Sequence, residues 1–398
     1  MSFPRRQAAI VGVYRTKQEK RITDRSSFEL QVEAITGALD DAGLTLADVD
    51  GLLPMSGGNN HIAAMDTLNT AYYQYWAEQL GGRPITYIEV GGSAGMIAKA
   101  AMAIDAGMCE VAVLFHGKAG WNIGPKSMPK TDVAPRVAEW QFSIQGIVGM
   151  APFYAMWAQR YMHEFGVTAE DLARAAVIDR YHATLNPDSI MGEKGEITVD
   201  DVVNSRMIAD PLHLLDCSID NDGGYAIVIT SAERARDLKK KPIYILGGGE
   251  AVHTDFYLSQ DGDWFPESGK SVRRATDIAF ATAGVTRDDI DVFGSYDCFT
   301  VTYLRNLEEM GFCGLGEGKD FVKDGHTRLG GKLPTNPHGG LLSDSHCGTT
   351  DGLFPVEVVT QLRGEAGARQ VEGAKIGLAH QQGFSVHGLT SAVILAAD

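Results

Sequence analysis

Hydrophobic and polar positions follow one another along the chain in blocks that predict an α/β protein. Ala8–Val13 is a short apolar run typical of a strand. Within Ser27–Ala42 the apolar residues recur at helical spacing, so one face of the predicted helix is apolar. Gly43 ends this helix, because glycine readily takes the positive φ of a helix C-cap. Asp48–Leu53 then predicts the start of a second strand.

A second copy of this helix-exit segment lies late in the chain. Residues 38–52 align without a gap with residues 279–293, and six of the 15 positions are identical. The identical pairs are Ala38/Ala279, Ala42/Ala283, Gly43/Gly284, Thr45/Thr286, Asp48/Asp289 and Asp50/Asp291. A common helix-exit pattern is one explanation. The other is an internal duplication, which predicts two α/β halves, each with a mostly parallel sheet.

Each half also carries a glycine-rich turn ahead of a helix. Gly91–Gly95 precedes a predicted helix at Met96–Ala106, and Gly339–Gly348 precedes one that runs through Val356–Arg363. The free N–H groups and the dipole at a helix N-terminus favour negative charge. Both turns are therefore candidate binding sites.

The region between the halves, residues 118–216, reads as an insertion with helices of its own at Ala151–Phe165 and Ala169–Leu185. It is rich in large apolar side chains, namely Trp121, Trp140, Trp157, Met128, Met150, Met156 and Met162. These suit a lid or loop domain that binds a bulky apolar group; the alternative is helices that only pack on the core. The predicted boundaries are 1–117 with 217–240 for the first half, 118–216 for the insertion and 241–398 for the second half.

Charge and composition exclude several classes of function. The 398 residues include 35 basic and 51 acidic ones, and the net charge of −16 repels a phosphate backbone, so we expect no nucleic-acid partner. No apolar run reaches the ~20 residues of a membrane span, and the N-terminus has no secretory segment, so we expect a cytoplasmic protein. The five cysteines form no Cys-x-x-Cys pair, so we expect no metal site. Gly247–Gly249 lacks the glycine spacing of a dinucleotide-binding site.

Seven short blocks carry a family resemblance that covers nearly the whole chain. They are Arg160–Gly166, Asn204–Asp210, Leu214–Cys217, Asn221–Gly224, Tyr296–Thr300, Gly311–Gly314 and Asn336–Gly340. In this order they resemble the thiolase superfamily, in particular its sterol-carrier-type thiolases and bacterial lipid-transfer relatives. The resemblance implies a five-layered α-β-α-β-α fold, a homodimer, and acyl-CoA thioesters as substrates. It implies no cofactor other than the coenzyme A that the substrate carries.

The chain departs from the family at the nucleophile. Family thiolases place a cysteine at the N-terminus of the first half's buried helix, where the dipole stabilises a thiolate. Gly92 falls at this position, so a covalent acyl-cysteine cannot form there. Ser93 is adjacent but lacks a neighbouring base in the sequence. Gly91, Gly92 and Ser93, together with Gly340 in the second turn, are predicted to make room for the substrate or to offer backbone N–H groups to an oxyanion.

The acid/base candidates lie in the second half. Sterol-carrier-type thiolases have His-Asp-Cys-Phe where this chain has Tyr296-Asp-Cys298-Phe, a form that resembles thiolase-fold retro-aldolases that shorten steroid side chains. The resemblance implies acid/base roles for Tyr296 and Cys298; a buried structural aromatic is the alternative for Tyr296.

Two histidines complete the candidate site. His346 aligns with the histidine of the family's Gly-His-Pro motif, although Ser345 and Cys347 replace its neighbours, and the similar retro-aldolases carry a tyrosine there. The resemblance implies that His346 holds the thioester oxygen as an enolate develops; a core histidine is the alternative. His380 aligns with another family histidine and is a weaker substrate-binding candidate.

Three functions remain open from the sequence. The first is retro-aldol cleavage of a bulky β-hydroxyacyl-CoA without an acyl-enzyme, together with a small OB-fold, zinc-ribbon partner subunit of the kind that the related retro-aldolases use. The second is acyl transfer by an unusual nucleophile, either Cys347 or Ser93. The third is a non-catalytic subunit that binds acyl-CoA or lipid.

Overall fold

The computed structural model describes residues 3–55, 76–89, 91–120, 150–252, 270–347, 352–383 and 389–397. Trp121, Met128 and Trp140 of the predicted insertion lie outside these residues. The strands are β1 (Ala8–Arg15), β2 (Gly51–Pro54), β3 (Tyr87–Ile88), β4 (Val111–Lys118), β5 (Met207–Ala209), β6 (Leu212–His213), β7 (Gly223–Ser231), β8 (Ile243–Val252), β9 (Val292–Gly294), β10 (Ile376–Gly383) and β11 (Leu389–Ala396). The α-helices are α1 (Ser27–Ala42), α2 (Ser93–Asp105), α3 (Ala151–Phe165), α4 (Ala169–Thr184), α5 (Val199–Val203), α6 (Ala232–Ala235), α7 (Lys270–Ala283), α8 (Thr300–Glu309), α9 (Gly318–Lys323) and α10 (Leu353–Arg363).

The strand pattern repeats about a central seam. The main sheet has the order β3-β2-β4-β7-β1-β8-β11-β10-β9. Moving outward from β1, the strand pairs are antiparallel, antiparallel and then parallel; moving outward from β8, they are the same. β1 and β8 meet at the seam through the antiparallel pairs Ala9–Tyr244 and Ile10–Ile243. This repeat confirms the two duplicated halves.

One expectation about the sheet was wrong. We expected each half to be mostly parallel, but β7 and β11 run antiparallel to the strands on both of their sides. The reason is clearest for β11, which returns from β10 after five residues. A connection that short reverses the chain, whereas a parallel neighbour needs a crossover of a dozen or more residues.

The helices form three layers around the two half-sheets. α1 packs on β1, β4 and β7, and α7 packs on β8 and β11, so these two helices cover the outer faces. α2 and α10 each pack on strands of both halves and form the central layer. Ten of the 13 residues of α2 are buried, as expected for a helix enclosed on all sides. The order is therefore α-β-α-β-α.

The repeated segment has the same local structure in both copies. The glycine after each helix takes a left-handed φ, 75° at Gly43 and 73° at Gly284. Two residues later a threonine backbone N–H donates to an aspartate three positions on, at 2.8 Å in the first copy and 2.7 Å in the second. The sequence identity thus reflects a shared capping structure that starts β2 and β9 in the same way.

The described part of the insertion lies against the second half. Its helix α3 has the predicted bounds, and α4 ends one residue earlier than predicted. α4 packs on α8 and on a wide helical turn at Gly340–Asp344. The insertion therefore contacts the segment that leads to His346. The exact domain boundaries given above stay a prediction.

Candidate active site

Two strand ends and one loop bring the predicted catalytic residues together. Tyr296 and Cys298 follow β9, whose last residue, Gly294, pairs in parallel with Ala379 of β10. The carboxyl ends of β9 and β10 are therefore neighbours, at the usual strand spacing of about 4.8 Å. His346 arrives from the turn Gly340–Asp344 and lies beside Tyr296.

Tyr296 and His346 face each other directly. Their ring centroids are 6.2 Å apart and the rings are nearly perpendicular, at 87°. Tyr296 is 5 % exposed, whereas His346 is partly exposed. The Ser218 hydroxyl lies 3.0 Å from Nδ1 of His346. A hydroxyl that donates to Nδ1 leaves the ring proton on Nε2, which makes Nε2–H a hydrogen-bond donor.

The loop that carries His346 is fixed by residues of the first half. Arg15 binds both carboxylate oxygens of Asp344, at 2.9 and 3.0 Å. Asn221 accepts a hydrogen bond from the backbone N–H of His346 at 2.6 Å. His116, at the end of β4, lies with Nε2 2.9 Å from the carbonyl oxygen of Cys347. Both halves of the protein thus build the site.

His116 acts as a fixed neutral donor. Burial lowers the pKa of this histidine to about 4, so the ring is uncharged at neutral pH. A neutral ring with the proton on Nε2 donates to the carbonyl of Cys347, which supports the backbone next to His346.

Cys298 is a buried thiol next to Tyr296. Its Sγ is 3.7 Å from Thr302 Oγ1, and it also hydrogen-bonds with the hydroxyls of Tyr154 and Tyr296. Burial raises the pKa of Cys298 to about 12. The side chain is therefore a neutral thiol at neutral pH, and it can donate a proton but cannot serve as a base.

Between Tyr296 and Cys298, the chain places Asp297 in a buried carboxyl pair. Asp297 accepts from the backbone N–H of Leu341 at 2.9 Å, and its partner is Asp179 of α4. Both carboxyls are fully buried, and the hydrogen-bond partners of the Asp179 side chain are the carboxyl of Asp297 and the side chain of Asn336. Two carboxylates only accept, so the contact requires a proton. Burial and the charge of Asp297 raise the pKa of Asp179 well above its usual value, and burial raises that of Asp297 to about 6.

Gly340 makes room for this pair. Its φ is +60°, and a Cβ there would lie 2.2 Å from Oδ2 of Asp297 and 2.8 Å from Oδ2 of Asp179. The structure thus gives a packing reason for glycine at this position; substrate binding by Gly340 stays a prediction.

The first glycine turn begins α2. The helix begins at Ser93, three residues earlier than predicted, so Gly92 is its N-cap residue. A Cβ on Gly92 would lie 1.6 Å from Oε1 of Gln381 in β10. The side chain of Gln381, which no sequence motif singled out, therefore occupies the space that any side chain at position 92 would need. That this is the position of the family's nucleophilic cysteine stays a prediction.

His380 lies on the opposite face of β10 from Gln381. Successive residues of a strand point to opposite sides of the sheet. Gln381 faces α2 in the central layer, so His380 faces the outer layer. It is fully buried, burial lowers its pKa to about 3, and neither ring nitrogen has a partner among the described residues. The structure does not bring His380 to the face of Gly92; its substrate-binding role stays a prediction.

Comparison with known proteins decides the family. A 17-hydroxy-3-oxo-4-pregnene-20-carboxyl-CoA lyase of Mycobacterium tuberculosis is 39% identical over 373 residues, which cover 90% of this chain and 92% of the relative. Residues 249–396 match the family model of the thiolase C-terminal domain. The chain belongs to the thiolase superfamily.

Other thiolase-superfamily members show the range of reactions on this scaffold. A solved structure of an Ltp2-ChsH2(DUF35) aldolase superposes with a TM-score of 0.86 at 33% identity, covering 100% of this chain and 99% of that one. An acetyl-CoA acetyltransferase of Methanothermobacter thermautotrophicus is 36% identical over 402 residues, which cover 98% of each chain. Thus both carbon–carbon lyases and acyltransferases are similar to this thiolase-superfamily protein.

The described part of this thiolase-superfamily chain was also searched for membrane-spanning helices and metal-binding clusters. None of the helices in the described residues is long and apolar enough to cross a membrane. In the same residues, no group of three or more His, Cys, Asp or Glu side chains is placed to hold a metal ion.

Proposed function

We propose that this protein cleaves a carbon–carbon bond of a β-hydroxyacyl-CoA by a retro-aldol reaction. One observation carries the proposal: Tyr296 lies against His346, which puts a candidate base beside a candidate oxyanion donor. At position 92, the Gln381 side chain leaves no room for a nucleophilic sulfur. A retro-aldol reaction needs a base and an oxyanion donor but no acyl-enzyme. The similarity to a lyase and to an aldolase structure supports the same reaction.

Each step of the proposed reaction is assigned to a residue of the candidate site. Tyr296, as its phenolate, takes the proton from the β-hydroxyl, and the bond between Cα and Cβ breaks as the β-carbon becomes a carbonyl. The electron pair moves onto Cα and the thioester as an enolate, whose oxygen is held by Nε2–H of His346. A second acid, Cys298 or His346, then protonates Cα, and Tyr296 passes the proton that it took to this acid, which restores both groups; both candidates are neighbours of Tyr296. The products are a ketone or aldehyde and a shortened acyl-CoA.

The substrate that we propose carries a bulky, apolar acyl group of the steroid type. Aromatic rings lie close to the reacting residues: Tyr154 of the insertion stacks on Phe299 with ring centroids 4.2 Å apart, and the ring centroid of Phe354 lies 6.4 Å from that of Tyr296. Flat aromatic surfaces suit a rigid hydrocarbon skeleton. The lyase relative, whose name specifies a pregnene-carboxyl-CoA substrate, supports this class.

We also propose that the protein acts as a homodimer together with a small second subunit. The similar aldolase of known structure carries a name with two components, Ltp2 and ChsH2(DUF35), and this chain covers 99% of the matched chain. Assays should therefore include the chain alone and the chain with its own small subunit.

The test is turnover of a steroid-type β-hydroxyacyl-CoA by the wild type and by Tyr296→Phe, with both products measured by mass spectrometry. We expect the variant to lose about 10²- to 10⁴-fold in kcat, because removal of a positioned acid/base group has that effect. Tyr244→Phe is the matched control, because Tyr244 lies on β8, distant in the sheet from the site. Full activity of Tyr296→Phe would contradict the mechanism.

Acyl transfer is the second candidate, because the acetyltransferase relative matches almost the whole chain. The nucleophiles at hand do not favour it. Cys347 is fully buried, with its backbone carbonyl bound by His116, and Ser93 is fully buried at the start of α2. Incubation with acetyl-CoA followed by peptide mass spectrometry should show no acetylated Cys347 or Ser93. An adduct at either residue that forms and decays during turnover would establish acyl transfer instead.

A further inference from the structure

Three hydroxyl groups surround the thiol of Cys298. Oγ1 of Thr302 lies 3.7 Å from the sulfur, and the phenol hydroxyls of Tyr154 and Tyr296 also hydrogen-bond with it. A thiol carries one hydrogen, so at most one of these contacts is an S–H donation, and at least two are hydroxyls that donate to the sulfur. Cys298 is 3 % exposed, so these hydroxyls stand where water would solvate an exposed thiol.

Tyr154 comes to this thiol from the insertion. Its ring stacks on Phe299, the residue after Cys298, with centroids 4.2 Å apart and ring planes 29° apart. The ring of Trp157, one turn further along α3, meets it edge-on at 6.3 Å. The Tyr154 side chain is 5 % exposed, so close packing fixes the ring and therefore the position of its hydroxyl.

The backbone fixes the sulfur as well. The carbonyl oxygen of Cys298 accepts a hydrogen bond from the N–H of Ser218 at 2.9 Å, and Phe299 pairs with Cys217 in an isolated β-bridge. α8 begins at the next residue, Thr300. The thiol and the Tyr154 hydroxyl are thus held against each other from two parts of the chain, the second half and the insertion.

This contact matters when the thiol gives up its proton. Burial raises the pKa of Cys298 to about 12, and the hydrogen bond with Tyr154 acts against this effect. A buried anion is costly unless it is hydrogen-bonded. A hydrogen bond to a charged group corresponds to a factor of about 10 to 100 in an equilibrium or a rate. The Tyr154 hydroxyl is therefore placed to stabilise a thiolate that forms during the reaction.

We propose that Tyr154 is a positioning residue, which holds the Cys298 thiol and donates a hydrogen bond to its sulfur while Cys298 protonates the enolate carbon. This inference rests on the proposed function and deepens it, because it selects Cys298 over His346 as the second acid. The S–H bond breaks as the Cα–H bond forms, and the proton that Tyr296 took from the β-hydroxyl then moves to the sulfur. Tyr154 keeps its own proton throughout.

A double-mutant cycle tests this role. Tyr154→Phe keeps the ring on Phe299 but removes the hydroxyl, and Cys298→Ala removes the sulfur. The value of kcat for a steroid-type β-hydroxyacyl-CoA is measured in the wild type, both single variants and the double variant, with and without the small subunit. We expect Tyr154→Phe to lower kcat about 10- to 100-fold in the wild-type background, but less than about 2-fold in the Cys298→Ala background.

Tyr161→Phe is the matched control. It removes a buried phenol hydroxyl from the same helix, and that hydroxyl bonds Glu308 instead of the thiol. Its effect on kcat should be equal in the two backgrounds, as expected for a variant that only loosens α3. Equal effects of Tyr154→Phe in the two backgrounds would overturn the inference.

Infrared spectroscopy gives a second measurement that needs no turnover. The S–H stretching band of Cys298 is the band that Cys298→Ala removes, and Cys298→Ser identifies it if the alanine variant fails to fold. The frequency of this band depends on the hydrogen bonds of the thiol. We expect it to shift in Tyr154→Phe and to stay in place in Tyr161→Phe. An unshifted band in folded Tyr154→Phe would also overturn the inference.

The two measurements separate this inference from the proposed function. If the wild type cleaves a β-hydroxyacyl-CoA while the effects of Tyr154→Phe and Cys298→Ala are additive, the reaction stands and the role of Tyr154 is wrong. If the S–H band shifts in Tyr154→Phe but no substrate is cleaved, with or without the small subunit, Tyr154 holds the thiol and the lyase proposal fails.

Discussion

The two glycine turns of this protein look alike in the sequence but are glycine for different reasons. Gly92 has an ordinary backbone, with φ at −79°, and only the end of the Gln381 side chain stands where its Cβ would be. Gly340 has a left-handed φ of +60°, and its Cβ would meet the Asp179–Asp297 pair. Thus Gly92 is required by the position of one neighbouring side chain, whereas Gly340 is required both by its backbone conformation and by the buried carboxyl pair.

Because of this difference, a substitution at position 92 can be compensated by a second substitution, whereas one at position 340 cannot. Residue 92 and residue 381 form a matched pair across the two halves, so a larger side chain at one position needs a smaller one at the other. The turn at Gly340 holds the loop of His346 through Asp297, and no single exchange relieves both constraints there. A paired exchange at residues 92 and 381 can therefore be accommodated, whereas a substitution at Gly340 cannot.

Replacement of Gly340 by alanine should have the largest effect. Left-handed backbone at a non-glycine residue costs about 1–3 kcal/mol, and the overlap with buried carboxyls adds about 1–3 kcal/mol. We expect the free energy of unfolding to fall by about 3 kcal/mol or more, as measured by urea denaturation. A loss below about 1 kcal/mol would contradict the described packing.

Replacement of Gly92 by alanine should cost less and should be reversible by a second change. The overlap with Gln381 lowers stability by about 1–3 kcal/mol, and Gln381→Ala in the same chain should restore part of this loss as a non-additive term in a double-mutant cycle. Gly91→Ala is the matched control, because its Cβ would meet nothing closer than 3.6 Å. Strictly additive effects would mean that residues 92 and 381 do not share space.

The Asp179–Asp297 pair predicts a pH-dependent stability. Both pKa values are raised in the folded protein, so the folded state holds protons that the unfolded chain releases near pH 4, and stability falls as pH rises from there through about 6. Asp179→Asn supplies an amide donor without a proton, so its stability relative to the wild type should increase over this pH range. Denaturation curves at pH 4.5 and 7.5 measure the difference.

A comparison with Asp179→Leu isolates the hydrogen bond. This variant leaves Asp297 without the donor, and we expect it to be about 1–3 kcal/mol less stable than Asp179→Asn at pH 7.5. If the wild type and Asp179→Asn show the same pH dependence, Asp179 does not share a proton with Asp297.

The smallest effect is expected at Ser218. Ser218→Ala removes the hydroxyl that lies 3.0 Å from Nδ1 of His346, so the ring loses a hydrogen-bond partner and kcat should fall about 2- to 10-fold. Steady-state kinetics with the proposed substrate measure this change. Ser231→Ala, which removes the N-cap of α6, should lower stability without changing kcat.

The sequence was sufficient for the bounds of several helices because these bounds depend on local signals. The bounds of α1 and α3 are correct to the residue, since apolar spacing and the glycine after each helix determine them. The proximity of Tyr296 and His346 was also expected, because the family resemblance fixed which loops carry them. The direction of a strand relative to its neighbours depends on which strands pair, and the sequence pattern does not show this pairing. The antiparallel course of β7 and β11 was therefore not predicted.

The residues that the sequence did not reveal act through distant contacts. Gln381 and His380 are neighbours in β10, and successive residues of a strand point to opposite faces of the sheet. Which of the two faces Gly92 depends on the side on which α2 packs, and α2 lies almost 290 residues earlier in the sequence. The histidine attracted attention because of its chemistry. Asn221 stood in a family block without a visible role, and Asp179 lay in a helix that showed only its apolar spacing.

The seam between β1 and β8 has a consequence for the symmetry of the molecule. Corresponding strands of the two halves meet there antiparallel, through Ala9–Tyr244 and Ile10–Ile243. Two identical half-length chains related by a two-fold axis would meet in the same way. The seam thus has the geometry of a symmetric interface, although the two halves that it joins carry different side chains.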